Sequence, residues 1–207
     1  MLKAKRIPVG PGIANCYLIH NGKESLIVDP GADADRIIYS IEELSLKPIA
    51  ILLTHTHYDH IGAVEAMREK YEIPVYVAPE EDDWLINPAK NLSAIVSEPI
   101  VVQRADHLFN PDEKLTIGDF SFKVLATPGH SPGGVSFVFD EGEFVLSGDA
   151  LFAGGVGRTD LPGSEPAKLL KGIREKLFTL PGHYMVYSGH GLKTTIDTEM
   201  KTNPFFQ

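Results

Sequence analysis

The chain has 207 residues, 43% of them apolar and 23% charged, which is enough for one substantial core and is the composition of an ordinary globular protein rather than a disordered one. A formal charge of −9, with no basic run longer than the pair Lys5-Arg6, repels a phosphate backbone on average and argues against nucleic acid as a partner. The single cysteine, Cys16, forms no intrachain disulfide, no apolar signal segment precedes the first strand-like residues, and no eighteen apolar residues run together, so a cytoplasmic chain with no membrane span is expected.

In chain order, two strand-like segments come first, residues 15–19 and 25–29, joined by a turn at Asn21-Gly22 that suits a hairpin. Asp33 is placed to cap a helix reaching Leu44, with Ile37, Ile38, Ile41 and Leu44 at helical spacing on one face. Residues 49–53 are a continuous apolar run, the pattern of a strand buried on both faces. A second helix is predicted from His60 to Tyr71 and a strand over 74–78. The stretch 80–111, with Trp84 and several Asn and Pro residues, has no clean period and reads as a short helix plus an excursion over the site. Strands resume at 115–117, 120–126, 135–139 and 144–147. A helix over 166–178 carries Leu169, Leu170, Ile173 and Leu177 on one face, and 185–187 is a last strand. Each half therefore reads as strands, helical material and another strand. That pattern predicts a single α+β domain over 1–207, a four-layer αβ/βα sandwich.

The chemistry concentrates in Thr54-His55-Thr56-His57-Tyr58-Asp59-His60. Alternate residues of an extended chain point the same way, so His55, His57 and Asp59 converge as the strand ends, and His60 opens the following helix. Imidazole and carboxylate suit zinc, iron or manganese. Four such groups can hold two ions but not saturate them. Further ligands follow other predicted strands: His130 in Pro128-Gly129-His130, Asp149 after Gly148, and His190 between Gly189 and Gly191. Sites of sheet proteins with outer helices collect beyond the carboxyl ends of strands. Isolated histidines are usually surface or core residues, and His20, His107 and His183 are read that way. Asp29, at another strand end, is either a partner that orients a ligand imidazole or a turn residue before Pro30.

The His-x-His-x-Asp-His run, followed in order by single His, Asp and His residues, resembles the metallo-β-lactamase superfamily. The resemblance extends from Asn15-Cys16-Tyr17-Leu18 and Val28-Asp29-Pro30-Gly31 to Asn203-Pro204-Phe205. The stretches Gly148-Asp149-Ala150-Leu151-Phe152 and Gly157-Arg158-Thr159-Asp160-Leu161-Pro162-Gly163 are similar to those of small glyoxalase II-like hydrolases. This resemblance implies two divalent ions per chain, zinc above all, with iron or manganese as alternatives. His55, His57 and His130 are implied for the first ion, Asp59, His60 and His190 for the second, and Asp149 as the bridge. It also implies hydrolysis of a small-molecule thioester by a hydroxide shared between the ions, with Asp59 taking its proton. Arg158 is read as an anchor for the site loop or for an anionic substrate, against a solvated loop charge. The subclass of β-lactamases with Cys at the position of Asp149 is not matched. The helical domain with which classical glyoxalase II grips glutathione has no counterpart in the short stretch after His190. Persulfide dioxygenases, oxidoreductases with one iron, also look similar and share the Gly-Arg-Thr-Asp stretch, and a metal-binding protein without catalysis is a third reading. Oligomeric state is not legible in the sequence.

Overall fold

Runs of β-branched and aromatic residues bounded by glycine, proline and asparagine become strands throughout the computed structural model, which describes residues 2–207. The chain divides into two compact units, Met1–Phe109 and Asn110–Gln207.

In the first unit, strands β1 (Lys3–Val9), β2 (Ala14–His20), β3 (Glu24–Val28), β4 (Lys47–Leu52), β5 (Val75–Val77) and β6 (His107–Leu108) lie side by side in chain order. The first two pairings are antiparallel and the rest parallel. The hairpin at Asn21 is closed by its side chain, whose Oδ1 accepts the N–H groups of Lys23 and Glu24. β1 lies beyond the first predicted strand. Its alternating lysines and Pro8 suit a sheet edge, where a missing N–H breaks no ladder. Helix α1 (Ala34–Glu43) buries Ile37 and Ile41 as its period requires, but Asp33 does not cap it with its side chain. That carboxylate instead accepts the N–H of Gly10 at 2.8 Å, leaving only the Asp33 carbonyl to start the helix.

The predicted helix 60–71 is two helices, α2 (Tyr58–Ile61) and α3 (Val64–Tyr71). They part at Gly62, where a methyl group would lie 2.4 Å from the carbonyl oxygen of Gly31. The segment 80–111 holds the short helix α4 (Asp82–Leu85), two 3-10 turns and β6. Ile7, Leu18, Ile27, Ile51, Val64, Met67 and Val75 form the centre of this unit's core.

The second unit is built on β7 (Lys114–Ile117), β8 (Phe120–Ala126), β9 (Val135–Phe139), β10 (Phe144–Gly148), β11 (Leu151–Phe152), β12 (Gly155–Val156), β13 (Met185–Ser188) and β14 (Thr194–Thr195). Six of these form a sheet in the order β14-β13-β10-β9-β8-β7, and β11 and β12 form a separate small hairpin. Because β9 runs antiparallel to both β8 and β10, and β10 parallel to β13, the carboxyl ends of β8, β10 and β13 share one edge. Helix α5 (Pro166–Gly172) continues as a π-helical turn over Ile173–Leu177, burying Leu169, Ile173 and Leu177. A short helix beyond the predicted elements, α6 (Ile196–Thr202), starts at Thr195, whose hydroxyl accepts the N–H of Thr198. Buried Glu199 ties α6 down by accepting from Thr194, Gly154 and Asn203.

The aromatic stack of this sheet carries much of its packing: Phe139 lies 5.0 Å from Phe122 and 5.1 Å from Phe144 between ring centroids, fully buried. Phe139→Ala removes both contacts, and denaturant unfolding should show a loss of ~3–5 kcal/mol with metal content still near the wild-type value at low denaturant. A loss under 1 kcal/mol would show that the stack is not the packing centre.

Candidate metal centre

Parallel pairing of β3 with β4 brings Val28 opposite Leu52, so the residues just beyond each strand meet. Asp29, with φ 50°, turns its carboxylate under Thr54: Oδ1 accepts the Thr54 N–H at 2.8 Å and Oδ2 the Thr54 hydroxyl at 2.6 Å. The Nδ1 of His60 donates to the same Oδ2 at 3.1 Å. Having given its only proton to Asp29, the Thr54 hydroxyl accepts from Nδ1 of His55, 3.1 Å away. Asp29 therefore fixes two imidazoles with the proton on Nδ1, one directly and one through Thr54. In both, Nε2 carries the lone pair that a metal needs.

His55, His57 and His60 are buried, at 2%, 3% and 0% exposure. The His55 ring lies 4.8 Å from that of His57 and 4.2 Å from that of His60. Asp59, whose side chain is 25% exposed, has Oδ2 3.8 Å from Nε2 of His60. The loop has a second clamp that sequence reasoning missed. Fully buried Glu81 accepts both the N–H and the hydroxyl of Thr56, at 2.9 and 2.6 Å, between His55 and His57 in the chain. Glu81 lies in the segment without period, and no local signal marks it.

In the second unit, Gly148 pairs with Ser188 across parallel strands, and Asp149 and His190 follow at the same edge. Asp149 Oδ2 is 3.5 Å from Nε2 of His190 and 3.5 Å from Nε2 of His130. These separations are long for hydrogen bonds. They match the ~3.4 Å between donor atoms that each sit about 2.1 Å from one ion at a tetrahedral angle. The Nδ1 of His130 donates to the carbonyl oxygen of Arg158 at 2.8 Å, and since a carbonyl only accepts, His130 too presents Nε2. The Arg158 guanidinium is exposed and forms a two-pronged pair with Asp160, which holds that carboxyl down at about 2. Arg158 thus orients His130 through its backbone. The donors of each unit, three imidazoles and a carboxylate in the first and two imidazoles and a carboxylate in the second, are of the kind that suits divalent ions of the zinc and iron type.

The remaining candidates are ordinary. His107 is exposed and stacks near Tyr76, His183 faces Glu143 at the surface, and burial followed by the charge of Lys3 lowers the pKa of His20. Burial, then the charge of Asp29, pushes the Cys16 thiol well up, so it is no nucleophile at neutral pH.

Two outcomes follow from this geometry. Asp29→Ala should weaken metal binding ~10–100-fold in chelator competition, and Thr54→Val should weaken it less, because His60 keeps its acceptor; affinities within twofold of wild type would contradict the orienting role. Close backbone approach is also required on each side. A methyl on Gly31 would lie 1.7 Å from the Asp59 carbonyl oxygen, and one on Gly157 1.9 Å from that of Asp149. Gly31→Ala and Gly157→Ala should each lower the thermal midpoint, with an overpacking cost of ~1–3 kcal/mol or more, and reduce bound metal. Normal stability and metal content in both would show that these backbones move freely.

Comparison with known proteins gives the family. The model of the metallo-β-lactamase superfamily matches residues 9–190. The chain is 47% identical to a probable metallo-hydrolase, YqgX, of Bacillus subtilis, covering 99% of this chain and 97% of that one. It is 38% identical to the hydroxyacylglutathione hydrolase GloC of Haemophilus influenzae, over 96% and 95% of the two. Among solved structures, the BLEG-1 B3 metallo-β-lactamase superposes with a TM-score of 0.96 at 46% identity, covering 99% of this chain and 100% of that one. TTHA1623 in a di-iron-bound form superposes at 0.87 and 37%, covering 97% and 99%. With the ligand run, the strand-end placement and these likenesses together, the chain belongs to the metallo-β-lactamase superfamily, has its fold, and is a metallohydrolase of that family.

Proposed function

We propose that this metallohydrolase binds two divalent ions and cleaves small-molecule thioesters, in the manner of glyoxalase II-like enzymes. The observation that carries the reading is that His55, His60 and His130 all have Nδ1 committed as a donor, leaving Nε2 of each for a metal, while the Asp59 carboxylate stays partly open to solvent. In the assignment that the family resemblance implies, His55, His57 and His130 hold one ion, Asp59, His60 and His190 the other, and Asp149 both. Two such ions supply polarisation of the scissile carbonyl and acidification of the attacking water. Asp59 orients that water and accepts its proton. Asp29 and Glu81 keep the ligand loop in place, so that no reorganisation accompanies the charge that develops on the carbonyl oxygen. The departing thiolate needs little help from an acid.

Support for thioesters comes from the similarity to the GloC hydrolase and from the shared Gly148–Phe152 and Gly157–Gly163 stretches. The likeness to BLEG-1 favours a second reading, lactam hydrolysis by the same ligands. Protein saturated with zinc or iron is expected to hold two ions per chain by elemental analysis and to cleave S-lactoylglutathione and thioesters of other thiols faster than any lactam. Asp59→Asn should lower kcat ~10²–10⁴-fold. Asp149→Ala should deplete both ions and His190→Ala mainly one. Lactam cleavage outrunning thioester cleavage would establish the second reading. A single ion at saturation, with oxygen uptake on a persulfide, would overturn both.

A further inference from the structure

Beside Asp59 the first unit holds a cavity of about 200 Å³. Its lining comes from Val9 and the turn Gly10-Pro11-Gly12, from Gly31 and Ala32, and from Tyr58, Val96 and Ile100. Asp59 carries the one charge among the described residues that line it. A cavity of ~150 Å³ with apolar walls is enough to take up benzene, so this one has room for a group of four to six carbon atoms. It does not suit a glutathione backbone, whose carboxylates would find no cationic side chain among the residues that line it.

The segments that wall the cavity also spend conformational energy on their present shape. Ile13, at the end of the Gly10 turn, has φ 52°, a region a β-branched residue rarely enters, and its side chain is 61% exposed. Ile95, next to Val96, is 84% exposed. Apolar side chains are thus held outward on two segments whose neighbours line an apolar space, although burial elsewhere would be more favourable. A methyl on Gly12 would lie 3.9 Å from Asp59 Oδ2, so the turn passes within van der Waals reach of the carboxylate that handles the proton. A group in the cavity therefore lies beside the Asp59 carboxylate.

We propose that this cavity is the acyl subsite, and that the preferred substrates are thioesters of short, uncharged apolar acids. The inference rests on the thioesterase reading above and narrows it to one half of the substrate. The test uses the metal-loaded protein and a series of thioesters with one thiol and acyl chains from acetyl to octanoyl, beside a series with one acyl group and varied thiols. Each buried methylene should raise kcat/KM about fourfold until the cavity is full, so butyryl should exceed acetyl by ~16-fold, with no such slope along the thiol series. Val96→Phe should bring the butyryl-to-acetyl ratio close to one, and Ile100→Ala should move the optimum to a longer chain. In parallel, methyl chemical shifts of Val96 and Ile100 are followed during titration with 1-butanol and with butyrate. Saturable shifts are expected with the alcohol and weaker ones with the anion, both lost in Val96→Phe. Flat acyl dependence, a slope that follows the thiol instead, or no saturable shift with 1-butanol would overturn the subsite while leaving the thioesterase reading in place. Butanol binding in a protein that cleaves no thioester would support the apolar subsite and reject that reading.

Discussion

One buried carboxylate organises the ligand loop. Asp29 is 2% exposed, and a charge so placed is tolerated only if donors surround it. It gathers three: the N–H of Thr54, the hydroxyl of Thr54 and Nδ1 of His60. Its left-handed backbone, at a cost of the order of 1–3 kcal/mol, is held by the N–H it donates to Leu52 across β3 and β4. The same alternation that turns His55 and His57 toward one side turns Thr54 and Thr56 toward the other, where Asp29 grips one and Glu81 the other. The run thus has an acid-facing side made of threonines and a metal-facing side made of histidines. Replacing either threonine by an apolar residue would leave a buried carboxylate short of a donor, which costs more than the hydrogen bond itself contributes.

The second unit reaches a similar end by other means. No carboxylate orients His130; a backbone carbonyl, that of Arg158, does so. Asp149 and His190 are placed by strand register, reinforced by the N–H of Gly189 donating to Gly148. Gly157 then lets the following loop pass against the Asp149 carbonyl. Side-chain clamps hold a ligand run that lies in a loop. Where ligands come singly from adjacent strand ends, the sheet itself holds them, and glycine supplies the clearance.

This difference also decides what could be read from the sequence. His55, His57, Asp59, His60, His130, Asp149 and His190 stand out in the sequence because they follow apolar runs; in the structure His55, His57, His130, Asp149 and His190 lie in the segments after β4, β8, β10 and β13, and Asp59 and His60 lie in α2. The long strands and the buried faces of α1 and α5 follow from period alone. Of the two readings left open for Asp29, the imidazole partner is the one observed. What was not legible depends on contacts distant in sequence. The helix break at Gly62 exists because Gly31 lies against it. Residues 80–111 are held by Glu81, by Asn91 and Ser93 bonding to Ile100, and by Asp106 bonding to Val75. Such bonds have no repeat, so neither a helical nor a strand period can reveal them. The short strands β6, β11, β12 and β14 have too few residues to show an alternation at all.

Exposure divides the seven ligand candidates in a way that bears on chemistry. His55, His57, His60 and His130 lie at 6% exposure or less and the Asp149 side chain at 9%, whereas the side chains of Asp59 and His190 are 25% and 29% exposed. Of the buried imidazoles, His55, His60 and His130, with Nδ1 already committed, are pre-organised and lose little freedom when a metal binds. The more open groups are within reach of solvent, as a proton acceptor must be at every turnover. In the first unit the contrast is between buried imidazoles and the open Asp59 carboxylate: fixed groups beside a carboxylate that water can reach. The apolar cavity lies beside that open carboxylate, in the unit whose loop is most heavily clamped. Selectivity at a distance of a few ångströms needs such rigidity, because walls that shifted would admit longer and shorter chains alike.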